Sequence, residues 1–364
     1  MKSKYTFISG LMMIFLLLGT SLMAQEDDTE EVTAPTLRII SGFEGGSNYQ
    51  MAMDIQRMTR KTLGTAINET STDFIPKLNS NGDTIREENL DGEMEIVTEE
   101  VVTKIPTGDT IDFVKVLASE GSYYNFLKIN KTGADIAFLQ YDVLLYEAMQ
   151  DLKRRFKKAE PIRILLPMGT EQIHIVVLKN NGKNTIEDFG DLKKKRVAIG
   201  SSLMGTNITA KYIKEVTGSR WEDVEIPFDK SFKALFNGNI DAFFYVGAKP
   251  VKDMANLSVA MRDKITLISI PQNDQLDKAY EKATITPEDY KWLDGNIETY
   301  AVRSVLVTSI SGQTPEKEAA IQKVLEIIKA NKDNPANHSN WKLVNFAKDD
   351  KVDWEYYPAA LKLY

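Results

Sequence analysis

Two short loops carry the residue types that bind anions. Gly200-Ser-Ser-Leu-Met-Gly-Thr206 follows the apolar stretch Lys195-Arg-Val-Ala-Ile199. It precedes a segment with Ile208, Tyr212 and Val216 at helical spacing. The loop nearly spells a phosphate loop, but the lysine after the second glycine is missing, which argues against NTP hydrolysis. What remains is a set of free backbone N–H groups at a helix N-terminus, beside the hydroxyls of Ser201 and Thr206. The helix dipole and those donors together favour an anion. Gly45-Gly-Ser-Asn-Tyr49 has the same form, with Tyr49 placed to reach a ligand or stack on it. Either loop would also serve as a plain helix cap or a tight turn.

Other chemistry has little to work with. The chain has no cysteine and two histidines, His174 and His338, so thiolate chemistry, histidine-rich metal sites and a Ser-His-Asp triad are disfavoured. No metal and no cofactor are expected, and no GxSxG motif occurs. His174 lies in an apolar strand and reads as structural. Lys193-Lys-Lys-Arg196 reads as a solvated turn before a strand. Asp135 and Asp241 could in principle pair as acid and base, but they open strands in different parts of the chain.

The elements that must position the loops repeat. Leu37-Arg-Ile-Ile40 is a strand, followed by a Gly/Ser loop and a helix carrying Met51, Ile55 and Met58, with Ser47 as N-cap. Phe113–Leu117 is a strand, Ala118–Ser122 a small-residue loop, and Tyr123–Ile129 a helix stopped by Gly133. Gly133-Ala-Asp-Ile-Ala-Phe-Leu-Gln140 and Gly238-Asn-Ile-Asp-Ala-Phe-Phe244 both run from a helix-stopping glycine into an Asp/Ala/Phe strand. Ile162–Pro167 and Ile173–Leu178 read as two further strands. Helices follow at Asp229–Asn237 and after Thr314-Pro315, which suit the N-cap and N1 positions. The repeat predicts an α/β fold of two lobes, each a mainly parallel sheet flanked by helices. Ligands in such sheets sit beyond the carboxyl ends of the strands, so two facing lobes share one cleft.

The 364 residues suit two lobes, with 43% apolar and 27% charged residues and a formal net charge of −7, which argues against nucleic acid. Residues 73–112 hold eleven acidic and three basic residues, a net of −8. They read as an inserted hairpin or loop apart from the binding site. At the start, Lys2 and Lys4 precede an apolar run from Ile8 to Leu18 and a small residue at Ala24. That is the pattern of an export signal cleaved after Ala24, and the run is short for a membrane span. The acidic stretch 25–35 reads as a disordered lead-in.

Ile40-Ser-Gly-Phe-Glu-Gly-Gly-Ser-Asn-Tyr49, Glu120–Asn125, Gly133–Asp142, Asp191–Gly200, Gly205-Thr206, Gly238–Phe244 with Gly247 and Pro250, and Tyr357-Pro-Ala-Ala360 occur in an order that resembles the TAXI family. These are solute-binding subunits of TRAP transporters. The resemblance spans roughly residues 36–64 and 113–364. It implies a two-lobed type II periplasmic-binding-protein fold, here with residues 36–172 and 305–364 as one lobe and 173–304 as the other. It further implies a non-enzymatic, monomeric, periplasmic protein. Such a protein would bind a small carboxylate such as glutamate or 2-oxoglutarate and deliver it to TRAP membrane subunits. Presentation to a membrane sensor is the alternative. Carried over by motif, the ligand shell is Gly46, Tyr49, Ser122, Asn125, Gln140, Ser201, Gly205, Thr206 and Phe244. The family's Pro-Gly-Ser-Gly-Thr loop is Ser202-Leu-Met-Gly-Thr206 here. Thr206→Val is expected to weaken an anionic ligand and leave the ligand-free stability unchanged.

Overall fold

The computed structural model describes residues 37–80, 82–88 and 93–364. The export signal and the lead-in expected at 1–35 lie outside the described residues. From the first apolar strand, β1 (Leu37–Ile40), the chain passes through a Gly-rich loop into α1 (Ser47–Leu63). Gly46, one residue earlier than expected, is its N-cap. There follow β2 (Thr65–Pro76), β3 (Arg86–Glu88), β4 (Met94–Ile96) and β5 (Thr98–Ile111). Then come β6 (Val114–Leu117), α2 (Ser122–Asn130), β7 (Ile136–Gln140), α3 (Tyr141–Arg154) and the long β8 (Ile162–Leu178).

The pattern then recurs as β9 (Arg196–Ala198), α4 (Gly205–Thr217), β10 (Glu222–Val224), α5 (Phe228–Phe236) and β11 (Ala242–Gly247). Gly218 ends α4 in the left-handed conformation, at φ 68°, where a side chain would be strained. Short helices α6 (Lys252–Ala255) and α7 (Val259–Arg262) lead to β12 (Ile265–Leu267), β13 (Glu281–Ile285) and β14 (Ile297–Ser309). The chain closes with α8 (Pro315–Asn331) and α9 (Pro358–Leu361). Thr314 caps α8 by accepting from Lys317 N, with Pro315 in the first turn.

One sheet runs through both halves in the order β10-β9-β11-β8-β14-β7-β1-β6. At one end β1 is parallel to β6 and β7, and at the other β9 is parallel to β10 and β11. The centre departs from the mainly parallel expectation. There β14 pairs antiparallel with β7 and β8, and β8 antiparallel with β11. The two strands expected at 162–167 and 173–178 are one continuous strand. Its proline, Pro167, sits beside a register shift opposite Arg303/Val305, where a missing N–H costs no regular ladder bond.

Both faces of each half are covered. Leu37, Ile55, Phe138, Ile321 and Trp341 pack on one face of the first half, and Phe126, Leu139, Tyr141 and Val305 on the other. In the second half Ile175, Ile199, Ile213 and Phe244 pack on one face, and Phe232, Phe243, Met254 and Tyr290 on the other. Burial on both faces explains why these strands read as near-continuous apolar runs.

The duplication extends to an ion pair. Arg38 in β1 donates from N and Nε to Asp135 Oδ2 at 2.9 and 3.2 Å. Arg196 in β9 donates in the same way to Asp241 Oδ2 at 2.8 and 3.2 Å. Each aspartate directly precedes the third strand of its parallel trio. Burial would raise the Asp135 carboxyl, but the Arg38 donors and Lys317 outweigh it and hold it low. Each aspartate thus ties neighbouring strands, and the two form separate pairs.

The acidic insert is an extended hairpin. β2 pairs antiparallel with β5 over Thr65–Pro76 and Thr98–Ile111, and β3 pairs with β4 farther out. It begins earlier than expected, directly after α1. Its side chains are mostly exposed, Phe74 and Val102 among them.

Candidate functional site

Three helices end on one cavity. The N-termini of α1, α2 and α4 all border a cavity of ≈ 350 Å³, and none has a side-chain hydrogen bond capping its first turn. Each helix starts after a strand of a parallel trio, and the two trios run in opposite directions, so that the carboxyl ends of β7 at Gln140 and β11 at Gly247 face each other across the middle of β8. The wall is completed by the segment Tyr245–Asp253, which leaves β11, and by Glu171 from the middle of β8. First-turn N–H groups of a helix have no intrahelical acceptor. Three such ends around one space make it electropositive towards a ligand.

Of the residues named from sequence, Gly46, Tyr49, Ser122, Gln140, Gly205 and Thr206 line this cavity. The structure places Asn125, Ser201 and Phe244 outside the lining. Asn125 is fully buried, and its amide donates to Ser41 O at 2.6 Å and Phe138 O at 2.8 Å. It thereby fixes the loop after β1 against β7. Ser201 accepts Met204 N through its backbone carbonyl, in the turn that opens α4. Phe244 faces the core, with its ring centroid 5.4 Å from that of Trp221. Strand alternation sends its neighbour Tyr245 to the opposite face, and Tyr245 borders the cavity.

Two glycines allow the halves to approach. A Cβ on Gly205 would overlap Gln140 Oε1, 2.6 Å from Gln140 Cδ and 3.1 Å from Ser122 Cβ. Gly121, at φ 142°, would place a Cβ 3.0 Å from Met204 Cα. Tyr124 N, in the first turn of α2, donates to Leu203 O at 3.0 Å. Leu203 and Met204 therefore serve as backbone contacts between α2 and α4.

Thr206 is buried, and its hydroxyl oxygen accepts from Val246 N at 3.2 Å. That bond corrects the expectation that Thr206→Val leaves the ligand-free protein unchanged. Removing the oxygen strands a buried N–H. The Thr206 O–H proton remains available to donate.

Sequence reasoning missed Glu171. Its carboxylate accepts from Gln140 Nε2 at 2.5 Å and from Asn48 Nδ2 at 3.4 Å. Burial raises its pKa, and the Gln140 and Asn48 donors oppose that rise. Burial, with the Glu171 charge nearby, pushes the Tyr245 hydroxyl up to about 12. A signal was present: Thr170-Glu-Gln172 puts an ionisable residue inside an otherwise apolar strand. Reading a break there hid it.

Two other buried groups lie beside the cavity wall. His174 has Nδ1 2.9 Å from Gln172 O and Nε2 2.9 Å from the Tyr290 hydroxyl, which itself accepts Val251 N at 2.8 Å. Because the Gln172 carbonyl can only accept, Nδ1 carries the proton and Nε2 accepts from Tyr290. Burial pushes this histidine down to about 4, the Gln172 carbonyl opposing. Its role is structural. Asp142 at the start of α3 accepts from Thr209 Oγ1 at 2.6 Å and the Tyr280 hydroxyl at 2.9 Å, joining the first half to the second. Burial pushes it up to about 6 against those two donors. Among the described residues no cluster of three or more His, Cys, Asp or Glu side chains could hold a metal ion.

Residues 98–334 match the model of the NMT1-like family. Solved structures similar to this chain include a putative L-cystine ABC transporter protein from Listeria monocytogenes. It is 13% identical, at TM-score 0.40, over 82% of this chain and 92% of that one. PhnD1 from Prochlorococcus marinus (MIT 9301), in complex with methylphosphonate, is 11% identical over 88% of this chain and 95% of that one, at TM-score 0.47. A putative periplasmic sulfonate-binding protein, SsuA, from Methylobacillus flagellatus KT is 12% identical over 88% and 77%, at TM-score 0.40. The family match spans 237 of the 364 residues and takes in α2, α4, Glu171 and the β11 segment of the cavity wall. The chain belongs to the NMT1-like family.

Proposed function

We propose that this protein is an exported, non-enzymatic solute-binding protein. It captures a small carboxylate-bearing ligand and delivers it to a TRAP-type membrane transporter, as the resemblance to the TAXI family implies. Residues 36–172 with 305–364 form one lobe and residues 173–304 the other, and the cavity between them closes on the ligand. One observation carries the reading: three helix N-termini without side-chain caps, drawn from both halves, meet at one cavity. The ligand carboxylate meets backbone N–H groups at these ends, with the Thr206 and Ser122 hydroxyls beside it. The protein acts as a monomer in the periplasm.

The test is direct. Protein purified under mild conditions is denatured, and the released small molecules are identified by mass spectrometry. Calorimetry then measures rebinding of each candidate to the dialysed protein. A carboxylate that rebinds one to one and is recovered unchanged is the expected result. Turnover of the candidate, or no small-molecule binding, would overturn the reading.

A further inference from the structure

The cavity wall carries a carboxylate as well as helix N-termini. Glu120, Lys252 and Asp253 are exposed at the rim, where solvent screens them. Glu171 is different. It is half-buried in the wall, and its carboxylate is held by two neutral amides, Gln140 Nε2 and Asn48 Nδ2. No lysine or arginine pairs with it among the ion pairs of the described residues. A carboxylate taken out of water with only neutral partners is costly unless a cation meets it.

The neighbouring amide is not a second acceptor for a ligand. Gln140 donates to Glu171 through Nε2, and its Oε1 is buried against the start of α4, where a Cβ on Gly205 would overlap it. The acceptor that borders the cavity is the Glu171 carboxylate itself. An ammonium group, with three donors and a positive charge, fits it. A dicarboxylate alone would place like charge against Glu171.

We propose that Glu171 is a specificity-determining residue that seats a protonated amine of the ligand. The ligand is then an amino acid or similar amino-carboxylate, its carboxylate at the helix N-termini and its amine on Glu171. The inference rests on the solute-binding reading above and narrows it to amine-bearing solutes over their 2-oxo counterparts.

The test uses matched pairs on the dialysed protein: L-glutamate with 2-oxoglutarate, L-aspartate with oxaloacetate, L-leucine with 4-methyl-2-oxopentanoate, and L-alanine with pyruvate. Thermal shift finds the pair that binds, and calorimetry gives both affinities. The amino acid should bind more tightly than its oxo partner. Glu171→Gln should weaken the amino acid by on the order of 10- to 100-fold, as expected for losing a hydrogen-bonded charge. The same variant should leave the oxo acid unchanged or improved, and its ligand-free melting temperature should not fall. Equal binding of the two members, or a preference that survives Glu171→Gln, overturns the proposal and leaves solute binding standing. So does a co-purified, rebinding ligand without a basic nitrogen. If neither set binds and no ligand co-purifies, both readings fall.

Discussion

The Thr206 hydroxyl has a structural partner of its own. Its oxygen accepts the buried Val246 N–H, and its proton remains available to donate. Thr206→Val should therefore lower ligand-free stability by about 1–3 kcal/mol, the usual cost of stranding a buried donor. Thr206→Ser should restore most of it, and urea unfolding of the two variants compares them. Asp142 and His174 carry opposing pH terms. Asp142, pushed up to about 6, holds its proton more tightly in the folded state. Its contribution is present below about pH 4 and lost as pH rises through 6. His174, pushed down to about 4, stays neutral when folded while the unfolded chain takes a proton below about 6.5. Its contribution is lost as pH falls from 6.5 to 4. Each is on the order of 3 kcal/mol at most. Measured against wild type, Asp142→Asn should lose stability, and His174→Gln should gain it, as pH falls from 6.5 to 4.5. Urea melts at these two pH values that show the same sign for both variants would refute the assignment.

At the scale of elements, the acidic hairpin stands apart. β2 and β5 pair with each other and with no strand of the main sheet. Their exposed charges discourage pairing with a foreign strand. Replacing residues 67–109, in register across the hairpin, with a short Gly/Ser turn removes little buried surface. Ligand affinity should stay within several-fold and the melting temperature within a few degrees, read by calorimetry and circular dichroism. Because the Arg60–Asp112 ion pair and the hairpin base at residues 65–66 and 110–111 are retained, failure to fold would mean that the outer hairpin itself contributes to the fold. At each end of the main sheet a parallel trio is locked by its own Arg/Asp pair, so the loops after β1 and β9 are anchored alike at their strands.

Across the whole molecule, β8 and β14 span both halves, and α3 meets α4 through Asp142–Thr209 and the Lys153–Glu215 ion pair. The closure proposed above would act against a continuous sheet with a second contact at α3. Export belongs to this scale as well, since an exported protein meets its ligand outside the cytoplasm. N-terminal sequencing of exported material should begin at Gln25, after the signal pattern of residues 1–24. Finding Met1 on a membrane-bound species would contradict cleavage.

By itself the sequence determined the repeated strand, Gly/Ser loop and helix, the helix ends at Thr314 and Gly218, the α/β class and the peripheral acidic insert. These follow from apolar periodicity, capping chemistry and charge, which act over a few neighbours and are legible in one dimension. It also marked the loops whose residues Gly46, Ser122, Gly205 and Thr206 the fold gathers at the cavity. Only the tertiary structure decided that β8 runs unbroken through Pro167, that the centre of the sheet is antiparallel, and that Tyr245 faces the cavity while Phe244 packs on Trp221. The same holds for Asn125 binding backbone carbonyls, Thr206 taking Val246 N–H and Glu171 meeting Gln140 and Asn48. Each of these is a contact across many residues of chain. Local pattern cannot specify it, because strand register and the face a side chain takes are settled by what the opposite strand and helix leave to be filled.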